Sequence, residues 1–529
     1  MENEKVTKQL FKGALLLTFT GLLSKILSAG YRIPLQNITG DLGFYIYQQI
    51  YPFLGIALML SLYGFPTAVS KLVAEHKDNG IGLSISSFYL PVFGILCVIN
   101  GVLFMGIYMN AGLIASTMGD AKLEGPLRVA AMAFLFVPFT SIIRGVFQGL
   151  NDMKPTALSQ IIEQVVRVAI ILITAVLLVK QGKNIYQIGT GAAFGSIVGA
   201  SIAGLLLLTI WYKRKPFESK PYSFHWIFYL RPIVLYGFLI SVNHMLLLLL
   251  QFSDAFTLIP NLIEYGYSED QAKIWKGIFD RGQPLIQLGT VLGSSIALAI
   301  VPTITRKRLE QSPDQFISHI QSALKFSFYI SVAATVGLIG IFPHANVLLF
   351  ENAEGSFSLR ILSLAILFSS LIITTASILQ GLGYVYHTAL YVMIGLVIKW
   401  LINSWLIPIY GITGSAVATV VSVLIVLLLN IQQLKKVLPR TKLLSIHWGA
   451  FLIATSVLIL FLFIMNQYIF YFIEVSSRFE CLGFVLLVSS LGAVGYLVLL
   501  VKWNGFTDKE LSAFPFGELF VELKHRRKW

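Results

Sequence analysis

Apolar runs of about 20 residues recur along nearly all of this 529-residue chain, and each is long enough to cross ~30 Å of hydrocarbon as a helix. Inside a bilayer no water satisfies the backbone, so only helices or closed barrels span it. Runs of this length exclude a barrel of short alternating strands. Only 12% of the residues are charged, against about 25% in soluble proteins, and mean hydropathy is +0.78. The fold class is therefore an all-α polytopic membrane protein.

The formal charge of +14 would point to nucleic acid in a soluble chain. Here it is distributed by membrane side, which excludes that partner. Cys97 and Cys481 both lie in apolar runs and imply neither a disulfide framework nor a metal centre. Lys25 interrupts the first apolar run and no small-residue cleavage site closes it, so a retained helix is expected rather than a signal peptide.

Six helices are expected at roughly 10–35, 43–74, 84–110, 126–150, 156–180 and 186–212, and six more at roughly 226–253, 278–304, 318–342, 357–381, 387–408 and 411–433. Two last ones fall near 446–470 and 480–502, giving fourteen. The basic linkers divide the chain into an N-lobe (1–220), a C-lobe (221–440) and a C-terminal helix pair with a basic tail (441–529). Alternate loops carry Lys71 and Lys77, Lys154, Lys213 to Lys215 with Lys220, Arg306 to Arg308, and Lys435, Lys436, Arg440 and Lys442. Cytoplasmic loops retain such residues. The opposite loops carry Asp41, Asp120, Glu124, Glu264, Glu269, Asp270, Glu351, Glu354, Glu474 and Glu480. Both termini are expected in the cytoplasm, and the basic residues at 524–528 agree.

The chain also contains a duplication. Adding 232 to Leu127, Arg128, Leu135, Phe136, Gln148, Gly149, Leu150, Thr156, Ala157 and Leu158 lands on Leu359, Arg360, Leu367, Phe368, Gln380, Gly381, Leu382, Thr388, Ala389 and Leu390. The same step takes Arg167 to Lys399. Pro66-Thr67 is echoed at Pro302-Thr303, and Gly191 and Ala193 at Gly414 and Ala416, with small register changes. Six-helix units enter the membrane in the same direction, as in transporters built from parallel repeats.

Charges inside such helices cost at least ~2.5 kcal/mol each on insertion scales and need a partner or a polar cavity. Lys25 and Arg32, seven residues apart, share one helix face, although both could instead snorkel toward the interfaces. Asp280-Arg281 opens the eighth helix as an ion pair or a polar wall with Gln283 and Gln287. Glu163 and Arg167 stand at i and i+4, the spacing of an intrahelical salt bridge. Asp254, with Asn243, His244 and Gln251, is either a cation or proton site or a helix-end aspartate at the outer interface. Pro34, Pro66, Pro138, Pro284 and Pro302 mark helix breaks of the kind tolerated beside a cavity, or packing kinks. No HExxH, Walker loop, CxxC or strand-anchored GxGxxG is present, so the chain is not expected to be an enzyme or an ATPase.

The pattern SKILSAGYR on the first helix, GFPTAVSKLVAE, FDRGQPLIQLGTVLGSSIALAIVP on the eighth and the paired QGL segments resemble the polysaccharide transporter branch of the multidrug/oligosaccharidyl-lipid/polysaccharide exporter superfamily. That branch includes stage V sporulation protein B and, more distantly, the MurJ-type lipid II flippases. The resemblance implies two six-helix lobes in a V that alternately opens inward and outward in the bacterial cell membrane. Its cargo would be a polyprenyl-pyrophosphate-linked saccharide, such as lipid II or another cell-wall or polysaccharide precursor. It also implies that Lys25, Arg32 and Arg281 meet the pyrophosphate and that the last two helices form a lipid-tail groove. Asp254, Gln287, Glu163, Arg167 and Lys399 remain cavity or coupling candidates, with Na+ or H+ as the coupling ion and no other cofactor. Cell-wall synthesis enzymes are the candidate protein partners of an expected monomer. Two departures stand out: Lys25 replaces an arginine, and Tyr45, Tyr47, Gln48 and Gln49 stand where lipid II flippases carry an arginine and an acid. A cation-coupled multidrug exporter and a membrane glycan polymerase or ligase are the alternatives.

Overall fold

The computed structural model describes residues 2–216, 226–300, 313–439, 441–472, 478–512 and 517–525. Lys220, Pro302, Thr303, Arg306, Lys307, Arg308, Arg440, Glu474 and Arg526 to Lys528 lie outside the described residues.

Helices α1 (Glu2–Gly30) and α2 (Arg32–Met59) run on through Tyr31, whose backbone still accepts from Leu35 and donates to Leu27. A π segment, Leu60–Gly64, leads into α3 (Phe65–Asp78), and another, Ile85–Tyr89, into α4 (Leu90–Met109) and α5 (Ala111–Thr117). Then come α6 (Glu124–Ala131), a tight 3-10 stretch Met132–Phe136, α7 (Val137–Gly149), α8 (Lys154–Lys180) and α9 (Gln187–Arg214). Next are α10 (Trp226–Arg231), a π segment Pro232–Tyr236, α11 (Gly237–His244), α12 (Leu246–Glu264), α13 (Glu269–Asp280) and α14 (Gly282–Ile300). The remainder comprises α15 (Pro313–Phe350), α16 (Ser356–Ser363), α17 (Ala365–Gly381), α18 (Val385–Tyr410), α19 (Ile412–Val437), α20 (Trp448–Phe472), α21 (Arg478–Lys502), α22 (Asp508–Ser512) and α23 (Gly517–His525).

Twelve stretches among the described residues are long and apolar enough to cross a membrane. The first, Phe19–Asp78, holds 60 residues, ~90 Å of helix at 1.5 Å per residue and too long for one crossing. It bends at Gly40, whose φ of 67° is costly for any residue with a Cβ. A count of fourteen requires this stretch to be two crossings and the 19-residue α14 to be another. The surface has the polarity of a lipid-facing protein. Val98, Val102, Met105 and Met109 form an exposed apolar face on α4, while Arg32, Arg144, Glu163, Asp254 and Lys399 are buried. The protein is a multi-pass membrane protein.

Pro66 and Pro138 stand in the first turns of α3 and α7, each following a π or 3-10 segment. A missing N–H is harmless there, so the helix breaks expected at these prolines are present as changes of winding. The duplication reappears in the element boundaries. The pair α6 to α7 runs from Glu124 to Gly149, and adding 232 gives Ser356 and Gly381, where α16 begins and α17 ends.

The described chain forms two compact units, residues 1–284 with 384–418, and residues 285–383 with 419–529. In the second unit, α20 and α21 pack against α15 through Phe326, Tyr329, Leu458, Leu462, Phe484 and Val488. The segment after α21 folds back on the same core, with Phe506 stacked 5.2 Å from Phe326.

Candidate functional site

Because helical hydrogen bonding continues through Tyr31, Lys25 and Arg32 keep the common face expected of a seven-residue step. Arg32 is fully buried, and its guanidinium lies 3.9 Å above the Tyr51 ring. Tyr47 packs between Tyr31 and Tyr51, with ring centroids 6.0 and 5.8 Å away, and the Tyr31 and Tyr47 hydroxyls are hydrogen-bonded. None of the three guanidinium nitrogens has a hydrogen-bond partner of regular geometry, and no described acid pairs with Arg32. A cation–π contact is worth ~2 kcal/mol when desolvated, less than the cost of burying the charge. Lys25 is half-buried, with no described acid paired to it, and lies within electrostatic reach of His244. His244 stacks on Tyr63 with centroids 4.4 Å apart.

Arg281 is placed differently. It donates from Nε to Asp41 Oδ1 at 2.8 Å and from Nη2 to Asp41 Oδ2 at 2.5 Å, a two-bond fork. Gln36 also donates to Asp41 at 3.0 Å. The neighbouring Asp280 pairs with Lys276, one helical turn earlier, and not with Arg281. A Cβ on Gly277 would meet the Asp41 carbonyl oxygen at 2.2 Å, so this glycine lets α13 touch the bend near Gly40. The sequence carries this approach in Ser268 and Gln271, which form a capping box that starts α13. Nearby, Asp120 accepts from Tyr45 at 3.1 Å and Tyr186 at 2.6 Å and lies 3.6 Å from Lys273. Burial, then the bond to Asp120, pushes the Tyr186 hydroxyl pKa up.

The Glu163–Arg167 pair is present at 3.0 Å, and a third member joins it. Arg144, fully buried on α7, donates to Glu163 at 2.7 Å, Ser159 Oγ at 3.0 Å and the Ser61 carbonyl at 3.1 Å. Sequence reasoning passed over Arg144. The repeat held the signal, since the 232 step takes Arg144 to Ala376 and Glu163 to Gly395, so both members are missing from the second copy. Arg167 Nε has no hydrogen-bond partner among the described residues, and its side chain lines a small pocket of about 20 Å³ with Ser61, Thr140, Glu163 and Ser196.

In the second copy the repeated cation finds another acid. Lys399 Nζ lies 2.5 Å from Asp254 Oδ2, while Asn403 and Ser415 each donate to Asp254 Oδ1 at 3.0 Å. Asp254 is fully buried within α12, so it is not a helix-end residue at an interface. Gln251 donates to Gln283 at 3.1 Å, which makes Gln283 part of a polar wall. Gln287 is half-buried and belongs to the second compact unit.

The chain matches the family model described as "Polysaccharide biosynthesis protein" over residues 10–308. It is 38% identical to the uncharacterized membrane protein YabM of Bacillus subtilis (strain 168), covering 98% of this chain and 97% of that one. It is 26% identical to lipid II flippase MurJ of the same organism, over 82% and 83% of the two chains. With that organism's stage V sporulation protein B it shares 24% identity, over 98% and 100%. Among solved structures it resembles lipid II flippase MurJ in an inward closed conformation, with TM-score 0.66, 16% identity, and 93% and 99% of the two chains covered. It also resembles an inward-facing multidrug resistance MATE family transporter of the MOP superfamily, with TM-score 0.58, 14% identity, and 80% and 96% covered. At these identities the likeness to solved structures concerns the fold.

Proposed function

The chain belongs to the polysaccharide biosynthesis protein family, and from that membership we propose that it is a flippase for a lipid-linked saccharide. The cargo is a polyprenyl-pyrophosphate-linked cell-wall or polysaccharide precursor, carried from the inner to the outer leaflet by alternating access of the lobes 1–220 and 221–440. The pair of helices in 441–529 serves the lipid tail. The observation that carries this reading is Arg32, a fully buried guanidinium with an aromatic face on one side and no counter-ion among the described residues. A pyrophosphate supplies the charge and the acceptor oxygens that such a group lacks. Lys25, one charge along the same face, adds a second contact of point-charge type. Arg281 joins the site when Asp41 releases it. Both termini lie in the cytoplasm, and the similarity to lipid II flippase MurJ over most of both chains supports transport rather than glycan polymerisation.

Native mass spectrometry of the purified protein tests the assignment. Wild type should carry a polyprenyl-pyrophosphate saccharide. Arg32→Ala should lose it by about tenfold or more, with Arg32→Lys intermediate. Equal retention of the lipid by a well-folded Arg32→Ala protein would remove Arg32 from the site. A cation-coupled drug exporter centred on Asp254 is the weaker reading, because Lys399, Asn403 and Ser415 already engage both carboxylate oxygens.

A further inference from the structure

We propose that the pocket beside Arg167 is a binding site for a small inorganic anion. Among the described residues of α1 to α9, once Asp120 and Asp41 are set against Lys273 and Arg281, the buried charges are Arg32, Arg144 and Arg167 against Glu163 alone. The interior of this part of the chain therefore holds two more cations than acids. Glu163 is shared by Arg144 and Arg167 through its two oxygens, so neither arginine has an acid of its own.

Arg167 is the arginine of the pair that faces open space. Its side chain is nine-tenths buried, its Nη2 is spent on Glu163, and its Nε has no partner among the described residues while lining the small pocket of about 20 Å³. The pocket's hydroxyls are committed elsewhere. Ser61 donates to Leu58, Thr140 to Phe136 or Val137, and Ser196 to Ala192, all backbone carbonyls. The guanidinium is thus the donor left for a ligand, and an anion is the ligand that a guanidinium in a low-dielectric site selects.

A coupling cation has no comparable place. Asp254 is held by Lys399, and Glu163 by two arginines, so each acid that a Na+ or H+ site would use already has a resident cation. The excess charge favours an anion accompanying the cycle. This inference rests on the charge and geometry of the pocket and not on the identity of the transported lipid.

The test uses the full-length protein in detergent, exchanged into gluconate and titrated with chloride, inorganic phosphate or pyrophosphate while thermal stability is followed. Wild type should show a saturable rise with chloride or phosphate. Arg167→Gln should weaken the apparent affinity by about tenfold, whereas Glu163→Gln, which removes the acid paired with Arg167, should tighten it by a similar factor. A purely structural ion pair predicts lower stability for both variants with no change in anion response, and that result overturns the proposal. If Arg167→Gln does not fold, Glu163→Gln decides alone, since unchanged or weaker affinity overturns it. A rise of equal size in all salts, or one confined to pyrophosphate, also overturns it, the latter assigning the pocket to the lipid headgroup.

Discussion

Arg281 and Asp41, 240 residues apart, are joined by two hydrogen bonds of 2.8 and 2.5 Å, with the guanidinium fully buried and the carboxylate nearly so. Removing one partner of such a pair strands the other. Asp41→Asn or Arg281→Gln should therefore cost about 3–5 kcal/mol of stability, measured as a lowered melting temperature in detergent. The charge-swapped double variant should recover part of that loss, and singles that prove additive would show that the pair does not couple. Gly277→Ala should mimic the acid's removal, because its Cβ would meet the Asp41 backbone.

The Asp254 and Lys399 pair makes a second expectation. Lys399→Ala leaves a buried carboxylate beside Asn403, Ser415 and Thr257, an oxygen-rich setting of the kind that holds a small cation. The variant should lose about 3–5 kcal/mol in sodium-free buffer and regain stability saturably as sodium is added. Wild type should show no sodium-specific gain. A sodium response of equal size in both proteins would mean that Lys399 does not occupy the cation's place.

The periodicity of apolar runs made the helices legible, because length and hydropathy act locally and need no knowledge of neighbours. The step of 232 residues was legible for the same reason, and it set Arg167 and Lys399, both buried in the structure, at corresponding positions. Their partners were not. Glu163 lies one turn from Arg167 and could be read from spacing, but Asp254 reaches Lys399 across 145 residues and Arg144 reaches Glu163 across 19. Such contacts depend on helix packing. Arg281 was read as a partner of the adjacent Asp280, or by resemblance as a pyrophosphate contact, because its place on the eighth helix was visible, whereas the bend at Gly40 that presents Asp41 to it was not.

The C-terminal segment gives a pH-dependent expectation. Glu510 accepts from Lys325 at 2.6 Å, Ser322 at 2.9 Å and the Thr507 backbone at 2.8 Å. Burial alone would raise its carboxyl, but these bonds, led by Lys325, hold it below its ordinary value of 4.5. A carboxylate depressed in the folded state contributes stability that is complete above its unfolded value and is lost as pH falls through the folded one. Docking of residues 507–512 and 517–525 should therefore be insensitive to pH above about 4.5 and weaken progressively below it. Proteolytic release of that segment, followed against pH, is the measurement. Asp508 is also held low, chiefly by its bond to Lys524, so Asp508→Asn serves as the control that separates the two acids. Glu510→Gln should weaken docking at neutral pH by about 1–3 kcal/mol and flatten the acid limb. An acid limb unchanged by Glu510→Gln would assign the transition to another group.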